Sequence, residues 1–342
     1  MALRPRQSDI AKMAGVSQTT VSLTLNGKTV EYGINSETEE RIMSAARELG
    51  YVPNVTARAL RGGRNRLIGV HAYEPLFPTS RESYYEEILV GIEQGSIRAG
   101  HDLVLFTSMH QQKGPASIFD EGRNRLRIAD GALIIGFHQH DEELVRLAEE
   151  GFPFVFIGRR EKPAALGPYV TAAYVEGVRD VTRHVFELGH RKVAYLGLDD
   201  RVEPRVERRR GFQEAVAETG LDVVHDAQLA TKTIDEVWLR GLVDSGATAL
   251  LVESTAQLEV IGALCDRAGL DVPGQISIVG LDSMIDPAVA SHPWTHLHVP
   301  RREMGMRAVD LLLESLAGLH ERTVHERLPC EFVAGSTLLP LT

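Results

Sequence analysis

Gln18, Thr19, Ser22 and Leu23 are spaced to share one face of a helix, and Ser17 stands just before them as a helix-capping residue. A glutamine amide can make paired hydrogen bonds to an adenine edge. A threonine or leucine can pack against a thymine methyl. These side chains offer recognition of base edges, with no nucleophile or general base among them.

The surrounding elements suit that chemistry. Residues 6–26, RQSDIAKMAGVSQTTVSLTLN, predict a helix over 9–14 with Ser8 as its cap and Ile10 and Met13 facing inward. Gly15 supplies a tight turn. A second helix then opens at Ser17 and buries Val21 and Leu25. This is a helix-turn-helix pattern, in which the first turn of the second helix meets the major groove. Ser36–Glu37–Thr38–Glu39 has the spacing of a capping box for a third helix. Its buried stripe is Ile42, Ala45, Ala46 and Leu49, and Gly50 ends it. Asn54 can cap a fourth helix of two turns over 55–61, followed by the linker Gly62–Gly63. Helices shorter than about 12 residues are marginal alone in water, so this one needs a partner to stay folded.

Charge separates this head from the rest. The 342-residue chain carries a net charge of −10. Residues 1–66 hold 10 Lys and Arg against 6 Asp and Glu, whereas the remainder holds 27 against 41. A basic head on an acidic body suits a DNA reader joined to a separate sensing domain. The head's excess is small, so tight binding requires two heads or shape-specific contacts.

The body alternates two signals. Apolar strand-like runs fall at 67–72, 103–106, 132–135, 154–157, 193–196, 249–252 and 276–279. Amphipathic helical stretches fall between them at 83–99, 142–150, 176–188, 208–219, 235–245 and 258–268. Continuous apolar strands separated by helices predict parallel sheets covered on both faces, an α/β architecture. Such sheets bind ligands at the carboxyl ends of their strands.

Other chemistries are poorly supported. No P-loop, nucleophile elbow or metal-hydrolase motif occurs, so an enzyme is not expected. His292, His296 and His298, like His138, His140 and Asp141, lack the spacing of a metal site on one helix face. Neither a metal nor a cofactor is expected. The basic run Arg205–Arg210 opens a body helix, far from the head in sequence. Cys265 and Cys330 lie in apolar surroundings and read as reduced core thiols. No run of 18 apolar residues exists, and MALRPRQSD lacks a signal-peptide core. The expectation is a cytoplasmic protein without a membrane partner.

Taken together, DIAKMAGVSQTTVSLTLNG, RELGYVPN and NVTARALR resemble the lactose-repressor (LacI/GalR) family of bacterial transcription factors. ELGHRKVAYLG, RRRGFQEAV and AGLDVPGQISIVGLDS resemble the effector domain of the same family. The resemblance implies an all-α helix-turn-helix head at 1–53, a hinge helix and linker at 54–66, and an effector-binding and dimerisation body at 67–342. That body would have the two-lobe, type I periplasmic-binding-protein fold. Lobe 1 would take 67–168 and 299–324, and lobe 2 would take 169–298 and 325–342.

The resemblance also implies partners and site residues. A homodimer would bind a pseudo-palindromic double-stranded operator as a repressor, and a small molecule in the cleft between the lobes, with a carbohydrate as one candidate, would control that binding, as an inducer ahead of a corepressor. The implied DNA contacts are Ser17, Gln18, Thr19, Ser22, Leu23, Asn26, Tyr51, Asn54, Ala57, Arg58 and Leu60. Leu60 holds the position of a minor-groove wedge, and Ala57 the position where hinge helices approach each other. Leu23 departs from the polar residue often found at its place. The implied effector contacts are Tyr84, Tyr85, Arg208, Asp282 and Thr255. Two positions that often carry Asp hold Ala172 and Thr255, and Lys232 and Thr233 stand where an aromatic often stacks. An ordinary hexose is correspondingly less expected. No apolar heptad follows 332–337, which favours a dimer over a tetramer.

Overall fold

Ile10, Val21 and Ile42 are fully buried and hold three short helices together. These are α1 (Gln7–Ala14), α2 (Gln18–Leu25) and α3 (Ser36–Glu48). They belong to the first of two compact units, residues 1–65 and 66–342. The computed structural model describes residues 5–25, 27–51, 64–76, 85–107, 117–136, 141–159, 167–199, 202–284, 290–319 and 324–341.

The head corrects three local expectations. α1 starts earlier than expected, so Ser8 is not its cap; the Arg6 backbone N–H donates to the Asp9 carboxylate at 2.8 Å instead. Met13 is 48% exposed, and Ala11 and Ala14 take the inner face beside Ile10. Alanine at both places lets α1 approach its neighbours closely. Asn35, not Ser36, caps α3: its side-chain oxygen accepts the Thr38 backbone N–H at 2.8 Å.

Two six-stranded sheets form the body. The first contains β1 (Leu67–Ala72), β2 (Asp102–Phe106), β5 (Gly131–Ile135), β6 (Phe154–Ile157), β7 (Tyr169–Ala172) and β13 (His325–Leu328), in the order β13-β7-β6-β5-β1-β2. Its described pairings are all parallel. The second contains β8 (Lys192–Gly197), β9 (Asp222–Gln228), β10 (Ala249–Val252), β11 (Ser277–Gly280), β12 (Thr295–His298) and β14 (Glu331–Val333), in the order β14-β12-β11-β10-β8-β9. Among its described pairings, only that of β14 with β12 is antiparallel. A two-residue ribbon, β3 (Phe119–Asp120) and β4 (Arg123–Asn124), lies outside both sheets. β1, β5 and β6 are buried along almost their whole length, as strands covered on both faces must be.

The helices supply that cover. They are α4 (Glu86–Ala99), α5 (Asp141–Glu149), α6 (Tyr174–Glu187), α7 (Glu203–Thr219), α8 (Glu236–Asp244), α9 (Thr255–Ala268) and α10 (Arg301–Leu316). α4 packs along α10 in the first lobe and α6 along α7 in the second. Both contacts are close because glycine occupies them. A Cβ on Gly91 would sit 2.0 Å from the Arg302 carbonyl oxygen, and one on Gly211 would sit 2.3 Å from that of Val175.

The expected lobe boundaries shift. The resemblance places β7 and β13 in lobe 2, but β7 pairs with β6 and β13 pairs with β7 in the first sheet. The chain therefore leaves lobe 1 after 172, returns at 299 and departs finally after 328. Hydrophobic packing agrees, since Val170 and Ala172 are buried among the residues of β1, β5 and β6.

Candidate functional site

The opening of α2 is capped and exposed. Ser17 Oγ accepts the Thr20 backbone N–H at 3.0 Å, which caps α2. Gly15 takes φ 65° to make the turn before it, a conformation that costs glycine little. Ser17, Gln18 and Thr19 are exposed at the opening of α2, while Ser22 and Leu23 are half-buried. Val21 and Thr24 anchor the opposite side. Tyr51 packs against the small core of the head. Asn26, Asn54, Ala57, Arg58 and Leu60 lie outside the described residues.

In the body, carboxyl ends of parallel strands from both sheets meet. Gly136 follows β5, Gly158 and Arg159 follow β6, and Tyr85 precedes α4. These first-lobe residues face Glu203 and Pro204, the first turn of α7 in the second lobe. The space between them is about 20 Å³, room for one water molecule.

The expected effector residues are found at this seam with partners already in place. Tyr85 is buried, and its hydroxyl donates to Glu74 at 2.6 Å. Tyr84 lies outside the described residues. Arg208 is buried on α7, with Nη2 3.0 Å from the Asp282 carboxylate and its guanidinium carbon 4.9 Å from the Tyr174 ring centroid. Asp282 also pairs with Arg301 and accepts the Ser283 backbone N–H at 2.8 Å. Burial opposes ionisation of Asp282, but the Arg208 and Arg301 charges together hold it below the usual carboxylate range. Thr255 opens α9 and donates to the Ser283 carbonyl at 2.9 Å, bracing the segment that carries Asp282. Ala172 is fully buried within β7. Lys232 and Thr233 lie exposed on a short helical turn.

Several charged residues at the seam escaped the sequence reading. Glu207 is almost fully buried and is ion-paired with Arg159, Arg327 and Arg210. Arg159 also lies 3.9 Å from Glu203, and Arg327 lies 3.0 Å from Glu176. Glu253 accepts the Tyr195 hydroxyl and the Leu198 backbone N–H. Burial and this neighbouring carboxylate push the Tyr195 phenol well above its ordinary value. Arg159 was the most accessible of these to sequence reasoning, because it directly follows a predicted strand at the end where ligands bind. Among the described residues, no His, Cys, Asp and Glu cluster could hold a metal ion, and no helix is long and apolar enough to cross a membrane.

Comparison with known proteins agrees with both units. Residues 8–54 match the family described as bacterial regulatory proteins, lacI family, and residues 182–338 match a periplasmic binding protein-like domain. The transcriptional repressor PurR of Aliivibrio fischeri (strain MJ11) is 30% identical over 346 residues, covering 97% of each chain. A solved complex of the transcriptional regulator CelR with cellobiose is 25% identical, with a TM-score of 0.65 over 98% of this chain and 100% of the other. The lac repressor dimer bound to operator and the anti-inducer ONPF superposes with a TM-score of 0.77 at 21% identity, over 98% and 100% of the two chains. A capped helix-turn-helix, a two-lobed body and a similar repressor matched almost end to end lead to one assignment: the chain belongs to the LacI family of DNA-binding transcriptional regulators.

Proposed function

We propose that the chain is a cytoplasmic, dimeric repressor whose operator affinity is set by a small molecule bound between its lobes. The carrying observation is the exposed turn Ser17–Gln18–Thr19 at the start of a capped α2. Two such turns, one per protomer, would read successive major-groove half-sites. Asn26, Tyr51, Asn54 and Arg58 would add contacts around them. Leu60, beside Ala57 of the partner hinge, would wedge the minor groove at the centre. Ile97 at the end of α4 and Leu105 on the edge strand β2 are 71% and 41% exposed, and support a first-lobe dimer face.

Arg208, Asp282, Thr255, Tyr84 and Tyr85 would form the effector site. PurR is named a repressor, and CelR was solved with a disaccharide; both support this reading. Mixed guanidinium, carboxylate and hydroxyl groups suit a polyhydroxylated or carboxylated ligand. The effector can change operator affinity only by its differential affinity for two lobe arrangements, typically about 1–3 kcal/mol.

Selection from a random duplex library with the full chain tests the DNA reading. A pseudo-palindrome with half-sites about one helical turn apart is expected, and Leu60→Ala should weaken binding to it. Recovery of no consensus would sink the proposal. A thermal-shift screen of sugars, nucleosides and small acids tests the cleft. A ligand at 100 times its Kd stabilises by about 2.7 kcal/mol, and Arg208→Ala should abolish that shift.

A further inference from the structure

The ion pairs across the cleft are polarised. Arg159, Arg301 and Arg327 all belong to the first lobe. Their partners Glu203, Glu207, Glu176 and Asp282 all belong to the second. When the lobes separate, one rim is left positive and the other negative. The two rims then attract each other, in a setting where burial weakens screening by salt.

Asp282 is the pivot of this arrangement. It has one partner in its own lobe, Arg208, and one from the opposite lobe, Arg301. Opening would strip away only Arg301, so Asp282 keeps a counter-charge in both states. Opening therefore takes acidic partners from the first-lobe arginines, while Asp282 keeps one of its two. The side chain of Arg301 is only 8% exposed, and its guanidinium covers the carboxylate that an effector would have to reach.

We infer that Arg301, assisted by Arg159 and Arg327, is a built-in occupant of the effector site that closes the two lobes through the chain's own charges and must be displaced for an effector to engage Asp282. The inference rests on the cleft being the effector site. Arg301 is then a specificity-determining residue. A molecule that takes its place at Asp282 must supply hydrogen-bond donors, as a polyol or an amine does. A ligand with only acceptors leaves Asp282 and Arg301 together.

Spin labels report the distance between lobes without DNA or any added small molecule. Glu142→Cys in the first lobe and Lys232→Cys in the second are both at exposed positions; the native Cys265 is fully buried, and the half-buried Cys330 is replaced by Ser in the parent and in every variant. Labelled full-length chain is diluted with unlabelled chain so that each dimer reports one pair. The parent should give one short-distance population. Arg301→Gln and Arg159→Gln, each checked for a native melt, should each move population to longer distances, and their combination should move more. Arg301→Lys, which keeps the charge and gives up the planar fork, should fall between parent and Arg301→Gln. Folded Arg301→Gln and Arg159→Gln variants that both keep the parent distribution would overturn the inference. Operator DNA plays no part in this readout. Failure to recover an operator would remove the regulator reading and leave the lobe-closure result standing, and an unchanged lobe distance in the variants would leave operator recognition untouched.

Discussion

Arg208 and Asp282 form an ion pair of 3.0 Å in which both side chains are largely removed from water. The pair is asymmetric in its dependence. Without Arg208, Asp282 keeps Arg301; without Asp282, two buried guanidiniums face each other. Removing one partner of a buried pair typically costs about 3–5 kcal/mol. Asp282→Ala should reach that range, and Arg208→Ala should fall below it. Denaturant unfolding at pH 7 of the two variants decides this, and equal losses would contradict the arrangement. The pH dependence has a definite sign. Asp282 has a folded pKa held below its ordinary value, so its contribution is complete above the unfolded value and disappears as pH falls through the folded one. The difference between parent and Asp282→Ala should therefore shrink only below roughly pH 4.

Gly91 and Gly305 face each other where α4 and α10 approach closely. A Cβ on Gly305 would stand 2.3 Å from the Ile88 carbonyl oxygen, as one on Gly91 would stand 2.0 Å from that of Arg302. Backbone cannot yield there without separating α4 from α10. Either alanine substitution should cost at least the usual overpacking penalty of about 1–3 kcal/mol. The double variant should cost less than the sum, because the first substitution already parts the helices. Equilibrium unfolding gives all three values, and strict additivity would argue against a shared contact. α10 also carries Arg301 at its first residue, so these glycines set where that guanidinium reaches.

How far the sequence foretold this structure depended on what each residue's signal was. The strands 67–72, 154–157 and 249–252 were legible because burial on both faces demands unbroken apolar runs. β13 and β14 were not, since HERL and EFV lie half-exposed or exposed at sheet edges and carry no apolar run. α10 was missed because arginines and a glutamate fill its first turn, although Met304, Ala308 and Leu312 keep a buried stripe. Arg208 and Asp282 stood out through their motifs, and the structure brings the two together. That Arg301 meets them was invisible, because a contact between lobes depends on two returns of the chain and has no local spacing. Asn35 displaced Ser36 as a cap for a simpler reason: both residue types cap well, and one residue of register decided it.

The cysteines should be inert. Cys265 is fully buried and its thiol is pushed up to about 11, chiefly by burial. Burial pushes Cys330 up to about 12. The thiolate is the reactive form, so little of either is available near neutrality. A disulfide reagent such as DTNB at pH 8 should titrate fewer than one thiol per chain over minutes in the native protein. Both should react promptly once denaturant is added. Rapid native reaction of Cys330 would show that the junction between β13 and β14 opens.

His190 ties the end of the chain to the second lobe. Its Nε2 lies 3.0 Å from the Leu339 carbonyl oxygen and its Nδ1 lies 2.9 Å from Thr248 Oγ1. The carbonyl can only accept, so Nε2 carries a proton in the neutral ring. Burial lowers the imidazole pKa, and the Leu339 carbonyl opposes that only in part. The folded state thus resists a second proton that the unfolded chain takes up below about pH 6.5. The contribution is full above that value and is lost as pH falls toward the folded pKa. Melting temperature should drop from pH 7.5 to pH 5.5, and His190→Gln should show a smaller drop. Its amide can still donate to Leu339, which separates the loss of titration from the loss of the tether. His190→Ala removes both and should cost about 1–3 kcal/mol at pH 7.5. A pH slope unchanged in His190→Gln would place the titration on another group.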